Sequence, residues 1–373
     1  MRKAVLSVFA VFICMLGLRL PAHAADTSAQ AAILWNAETG DVLYELEADT
    51  PLPIASVTKL VTALVTVQHC HPEEMVTVSP EAAYVEGSSI YLAEGEELSV
   101  ETLLYGLLLE SGNDAAAALA CHVSGSIEAF AEEMNEAASE LGCTNSCFKN
   151  PHGLTEEGHV STARDLARIM GAAMDEPLLA EIMATEHITI GDRSFENHNR
   201  LLQLYDPVTG GKTGYTQAAG RTLVTSAERN GVSLVCVTLN DGDDWNDHIA
   251  LYEEGFSRYR TVEIVGAGES WSVPVISGLR EYVSAETEPF SMPVLDDDTV
   301  EIAVSLPMFV YARVDEGDTA GFISVYVNGE ERERLWLSYS HSVERDESIL
   351  QTGTETVLRR LKQMIWGIFP PER

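Results

Sequence analysis

Ser56-Val57-Thr58-Lys59-Leu60-Val61-Thr62-Ala63-Leu64-Val65-Thr66-Val67-Gln68 is the stretch on which the reading of this chain turns. Val57, Leu60, Val61, Leu64 and Val65 recur at the i, i+3, i+4, i+7 spacing of a core helix, and Val67 adds to its apolar content. Ser56 stands at the start of that helix, and Lys59, three residues on, shares its face. The chain carries 58 acidic residues and only five lysines, so a lysine placed to meet a serine is poorly explained as a solubility device. The pair reads as a nucleophile and its base, provided that desolvation or a nearby cation holds the amine neutral near pH 7. The bland alternative is a surface lysine after a helix-capping serine, because S-x-x-K recurs by chance.

Working outward, Ile33-Leu34-Trp35-Asn36 and Val42-Leu43-Tyr44-Glu45 read as two strands joined by a glycine-containing turn. Strand signals return at Gly210 to Thr216, Gly220 to Ala227 and Val232 to Asn240, the last two separated by Arg229-Asn230-Gly231. The early hairpin and the late meander are expected to share one antiparallel sheet. Asp244 to Tyr259 is expected to return across it as a helix. Between them, to about residue 185, the pattern is helical and predicts an all-helical insertion, with Thr162-x-x-Asp165 opening one helix as a capping-box variant. The fold class is therefore α/β in the α+β sense. Residues 25–260 form one domain and 261–345 a small all-β domain, read from Val262 to Val265, Val300 to Val304, Phe309 to Val314 and Phe322 to Val327.

Two further motifs carry chemistry. Ser111-Gly112-Asn113 fills a gap between helices, placing a hydroxyl and an amide on a loop that could face Ser56; Ser111 would relay a proton and Asn113 would bind a substrate amide. Lys212-Thr213-Gly214 lies in a strand, where Lys212 and Thr213 could hold a carboxylate and Gly214 permits close backbone approach. Each alone is weak, a turn and an ordinary strand.

In their order and context the three motifs resemble the penicillin-binding proteins of the D-alanyl-D-alanine carboxypeptidase group. The resemblance extends to Ser111-Gly112-Asn113-Asp114-Ala115, Asn150-Pro151-His152-Gly153-Leu154, His159 to Leu166, Asn197 to Leu202 and Gly211-Lys212-Thr213-Gly214-Tyr215-Thr216. It implies a β-lactamase/transpeptidase-like domain in which Ser56, Lys59 and Ser111 are catalytic and Asn113, Lys212, Thr213, Gly214 and Tyr215 bind substrate. By the same resemblance Ser56 attacks the carbonyl between the terminal D-alanines of a peptidoglycan stem peptide. β-Lactam antibiotics acylate the same serine, and the backbone N–H groups of Ser56 and Tyr215 form the oxyanion hole. No cofactor or metal is implied. One departure concerns the substrate carboxylate. Where some members carry an arginine downstream of Lys-Thr-Gly, this chain has the acidic Asn240-Asp241-Gly242-Asp243-Asp244. Cys121 and Cys143 lie near the motifs without an assigned role, and the Asn150 and His159 motifs read as architectural. The alternatives are a β-lactamase, though no Glu-x-x-Leu-Asn segment is recognisable, a D,D-endopeptidase, or an idle wall-binding protein.

The ends of the chain bear on location. Arg2 and Lys3, the apolar run Ala4 to Leu18 and Ala22-His23-Ala24 read as a signal peptide over residues 1–24. Its removal, with Arg2, Lys3 and Arg19, would take the formal charge from −35 to −38, which argues against nucleic acid as a partner. Five cysteines would remain, an odd number that fits no complete disulfide framework and leaves a Cys143 to Cys147 bridge open. Residues 346–373 carry one apolar helical stripe, Val357, Leu358, Leu361, Met364, Ile365 and Ile368, with Arg359, Arg360 and Lys362 on the other face. An in-plane amphipathic membrane anchor follows, placing the protein peripherally on the outer face of the cytoplasmic membrane. A helix docked on the β domain or on a partner is the competing reading.

Overall fold

The computed structural model describes residues 27–348, so both the signal segment and the C-terminal amphipathic stripe lie outside the described residues. The chain divides into two compact units, the first comprising residues up to Glu228 with Ser233–Gly255, the second Arg229–Val232 with the residues from Phe256 onward.

In the first unit the chain runs β1 (Ala31–Asn36), β2 (Val42–Leu46), a 3-10 turn at Ala55–Thr58, α1 (Lys59–His69), β3 (Met75–Thr77), α2 (Pro80–Ala83) and β4 (Glu97–Ser99). It continues through α3 (Val100–Leu108), α4 (Asn113–Ser124), α5 (Ile127–Glu140), α6 (Ala163–Asp175), α7 (Pro177–Ala184), β5 (His187–Ile190), β6 (Arg193–Glu196) and α8 (Leu201–Leu204). It closes with β7 (Val208–Thr216), β8 (Gly220–Arg229), β9 (Val232–Leu239) and α9 (Asp244–Ser257). Five strands form one antiparallel sheet in the order β2, β1, β9, β8, β7, which joins the early hairpin to the late meander as the sequence predicts. β1 and β9 are almost wholly buried, with Ile33 opposite Val237, because as interior strands they are covered on both faces. α9 is fixed to β8 and β9 by a buried polar network. Thr225 Oγ1 lies 2.8 Å from both His248 Nδ1 and the Tyr252 hydroxyl, while Thr238 Oγ1 lies 3.2 Å from His248 Nε2.

α1 is the hub of the helical layer. Every residue from Lys59 to Thr66 is buried, and α3, α4, α5 and α6 pack around it, as expected for a helix apolar on all sides. Side-chain caps start its neighbours: Ser99 Oγ accepts from Thr102 N at 3.1 Å, Ser126 Oγ from Ala129 N at 3.1 Å, and Thr162 Oγ1 from Asp165 N at 3.1 Å. The capping box at Thr162 has a different reciprocal arm, because the Asp165 carboxylate accepts from Asn145 N and Ser146 Oγ and so braces the preceding loop. The insertion is not all-helical. β3 pairs with β4 and β5 with β6, ribbons of three and four residues too short to carry a readable alternation.

The second unit is built mainly of β-strands. A six-stranded sheet has the order β14 (Val300–Ser305), β16 (Thr319–Val327), β17 (Glu330–Tyr339), β12 (Tyr282–Glu286), β11 (Ser270–Ile276), β15 (Val310–Tyr311), and β10 (Tyr259–Val265) pairs with β13 (Phe290–Leu295). Val273, Val283, Ile323, Val325 and Leu337 fill its core. The sequence reading finds β10, β14, β15 and β16 and passes over the rest. β17 is the instructive miss, since its first half, Glu330-Glu331-Arg332-Glu333-Arg334, is an exposed charged strand held by pairing with β16.

Candidate active site

The nucleophile turn is clamped before any chemistry is considered. Ser56 lies in the 3-10 turn that runs directly into α1, and Ala55 adopts φ +49°, a left-handed conformation costly for alanine. Its carbonyl accepts from Thr58 Oγ1 at 2.8 Å. Gly153, at φ +83°, lies against the same carbonyl, and a Cβ there would collide with it. Lys149 N–H donates to His159 Nδ1 at 3.0 Å, which assigns the ring proton to Nε2 and makes that nitrogen the donor to Thr58 Oγ1 at 2.8 Å. Burial pulls the His159 pKa down to about 4, so the ring stays neutral in this chain of bonds. On the other side Thr222 Oγ1 donates to Ile54 O at 3.1 Å, and the missing Cβ of Gly214 lets β7 approach: an added methyl there would sit 3.0 Å from Ser56 N.

Lys59 is fully buried, and its Nζ has three neighbours: Ser56 Oγ at 3.1 Å, Asn113 Oδ1 at 2.7 Å and His152 O at 2.8 Å. Asn113 Nδ2 donates to Glu86 O at 2.6 Å, which fixes the amide so that its oxygen faces the lysine. The two carbonyl oxygens can only accept. A neutral amine has two N–H donors and one lone pair, so when both donors are spent on carbonyls the lone pair faces the remaining neighbour, the Ser56 hydroxyl, which can donate. Desolvation, then the charge of Lys212, pulls the Lys59 pKa well below that of an ordinary lysine, while Asp114 pulls the other way. Asp114 is itself an anchor: its carboxylate accepts from Ser89 Oγ, Ile90 N and Leu92 N and holds the 88–92 loop over α4.

Ser56 opens on a cavity of about 340 Å³ whose lining includes Ser88, Ser111, Thr213, Tyr215, Arg221 and Trp245. Ser111 has φ +61° and a buried Oγ without a hydrogen-bond partner, a hydroxyl held ready for a ligand. Lys212, on β7, is buried beneath the lining with its Nζ donating to Thr213 O at 2.9 Å, and desolvation brings its pKa to about 7. Sequence reasoning puts Lys212 on a substrate carboxylate; in the fold its ammonium is turned inward and Thr213 is the member of the pair that reaches the cavity. Asn113 likewise meets Lys59 rather than the open space.

The structure thus gathers Ser56, Lys59, Ser111, Asn113, Lys212, Thr213, Gly214 and Tyr215 at one end of α1 and adds three features that motif reading misses. One is the His152 carbonyl, which gives the Asn150 to Leu154 motif a direct hold on Lys59. Another is Asp114. The third is Arg221, which β-sheet register places opposite Tyr215. Elsewhere, one thiol, one carboxylate and one imidazole from Cys70, Glu74 and His122 converge within 4.8 Å of one another, outside this site. Cys143 and Cys147 are free thiols.

Comparison with known proteins agrees with this geometry. Residues 19–243 match the D-alanyl-D-alanine carboxypeptidase family. The chain is 31% identical over 350 residues to D-alanyl-D-alanine carboxypeptidase DacF of Bacillus subtilis, covering 89% of this chain and 88% of the relative. It is 33% identical over 363 residues to D-alanyl-D-alanine carboxypeptidase DacC of Escherichia coli, covering 86% of each. Among solved structures, penicillin binding protein 5 of Haemophilus influenzae superposes with a TM-score of 0.63 at 28% identity, over 88% of this chain and all of that one. Fold, site geometry and sequence agree that the chain belongs to the D-alanyl-D-alanine carboxypeptidase family.

Proposed function

We propose that this serine-type D-alanyl-D-alanine carboxypeptidase acts through Ser56, removing the terminal D-alanine from peptidoglycan stem peptides, and that penicillins trap the same serine. The observation that carries the assignment is the environment of Lys59: buried, reduced in basicity, with Nζ 3.1 Å from Ser56 Oγ and within hydrogen-bond distance of two carbonyl oxygens, so that in its neutral form the amine turns its lone pair to the serine. In the first step Lys59 takes the Ser56 proton as the serine oxygen attacks the carbonyl between the two D-alanines. The backbone N–H groups of Ser56 and Tyr215 stabilise the oxyanion, a role supported by the close approach that Gly214 allows. Ser111 passes a proton to the leaving amine, Thr213 lies on the carboxylate side, and water then hydrolyses the acyl-enzyme. The test is release of D-alanine from diacetyl-Lys-D-Ala-D-Ala: the parent releases it, Ser56→Ala and Lys59→Ala fold but do not, and a Ser56→Ala protein with full activity contradicts the assignment. Rapid turnover of penicillin would favour the β-lactamase reading, and cleavage of cross-linked peptides in preference to free termini the endopeptidase.

Export and peripheral attachment to the outer face of the cytoplasmic membrane belong to the same proposal. Their support is the residue pattern of 1–24 and of 346–373. Truncation after residue 349 is expected to release the protein from membranes, and unchanged partitioning would remove the anchor.

A further inference from the structure

The acidic stretch Asn240 to Asp244 stands where a cation for the substrate carboxylate is wanted, yet the cavity has a cation from another strand. Arg221 lies on β8, directly opposite Tyr215 of β7, and lines the cavity with Ser56, Ser111 and Thr213. Its guanidinium is held on two sides. Nε and Nη2 donate to the two oxygens of Asp244 at 3.0 and 2.6 Å, a bidentate pair, and its Cζ lies 5.5 Å from the ring centroid of Trp245. The backbone joins the same arrangement, since Asp241 N donates to Arg221 O at 3.0 Å. The Asp244 side chain is 4% exposed while that of Arg221 is 43% exposed, so the carboxylate is the buried brace and the cation the presented group.

The lysine and arginine side chains near the cavity differ in what they can offer an anion. Lys59 is buried and engaged with Ser56. Lys212 is buried, points to Thr213 O and, with a pKa near 7, is only partly charged at neutral pH. Arg221 presents a planar guanidinium, and two of its five N–H donors are used by Asp244, leaving three in a fork that suits a carboxylate. His198 also lines the cavity, but its Nε2 is 3.5 Å from Glu110. In a chain of formal charge −35, an anionic terminus enters this cavity against the general field, and a fixed local cation is what offsets it.

We propose that Arg221, positioned by Asp244 and Trp245, binds the free C-terminal carboxylate of the peptide beside Thr213 and thereby makes the enzyme specific for chain ends. This rests on the carboxypeptidase reading above. Endopeptidase substrates have an amide in place of that carboxylate and leave the fork unmatched, so Arg221 selects termini over cross-links. Asp244 is a positioning residue, spending one edge of the guanidinium so that the other faces the cavity.

The experiment compares diacetyl-Lys-D-Ala-D-Ala with its C-terminal carboxamide, using the parent, Arg221→Ala, Arg221→Lys and Asp244→Asn, with thermal midpoints to verify folding. The parent is expected to prefer the free acid. Arg221→Ala should lose roughly 10- to 100-fold in kcat/KM on the acid, mostly through KM, while the carboxamide falls far less, so the preference collapses. Arg221→Lys should restore part of the preference, and Asp244→Asn should weaken it with a smaller effect. An Arg221→Ala enzyme that keeps the parent's acid-to-carboxamide ratio, or that falls equally on both, overturns the Arg221 assignment alone. A parent that cleaves neither peptide overturns the carboxypeptidase reading and this inference with it.

Discussion

Lys59 and Lys212 are both buried lysines, and their different surroundings give them different work. Lys59 has a hydroxyl and two carbonyls to meet, whereas Lys212 has one backbone carbonyl and acts on Lys59 through its charge. Replacing Lys212 by Gln removes a repulsion that helps keep Lys59 neutral, so the Lys59 pKa should rise toward the ordinary lysine value. A base with a raised pKa is protonated at neutral pH. The acylation rate of Lys212→Gln should therefore fall at pH 7 and recover partly as pH is raised, its rising limb displaced to higher pH than the parent's. A rate–pH profile of penicillin acylation reads this directly; a lowered rate with the limb unmoved would confine Lys212 to packing or binding.

Elements, not motifs, bring the site together. The start of α1, the start of α4 and the β7 edge of the sheet each present one motif, and the Asn150 to Leu154 turn closes against them. Gly153 shows how tight that closure is: alanine there must adopt φ +83° and displace the Ala55 carbonyl. Gly153→Ala should cost about 2 kcal/mol or more in stability and slow acylation by shifting Ser56, measurable by urea unfolding and by labelled penicillin. Equal stability and rate would mean the turn has slack that the geometry denies. At this scale the sequence was readable where a long apolar period or a residue type with one use declared the element: α1, the β8 and β9 meander, and the Ser56, Lys59 pair. It was unreadable where partners decide. β17 is a charged strand held by its neighbour, the ribbons at Met75–Thr77 and Arg193–Glu196 are too short for a period, and Arg221 joins the site only through the register of β7 and β8.

Across the whole molecule, burial of neutral polar groups sets the response to acid. His152, His159 and His248 are held at pKa values of about 3, 4 and 3, chiefly by desolvation, whereas an unfolded histidine titrates near 6.5. Each is neutral in the native state and gains a proton on unfolding once the pH drops below that value, so stability falls as pH falls from about 6.5 toward 4. The slope approaches ~1.4 kcal/mol per pH unit for each histidine. Urea midpoints at pH 7, 6 and 5 should therefore decline steeply, and His248→Asn should flatten the decline; a stability flat over that interval would show that the rings are solvated. The central claim concerns one oxygen atom, and intact mass after incubation with penicillin, followed by mapping of the modified peptide, tests it most directly. The parent should gain one penicilloyl group on Ser56 and Ser56→Ala none; an adduct that forms equally well without the Ser56 hydroxyl would contradict the account.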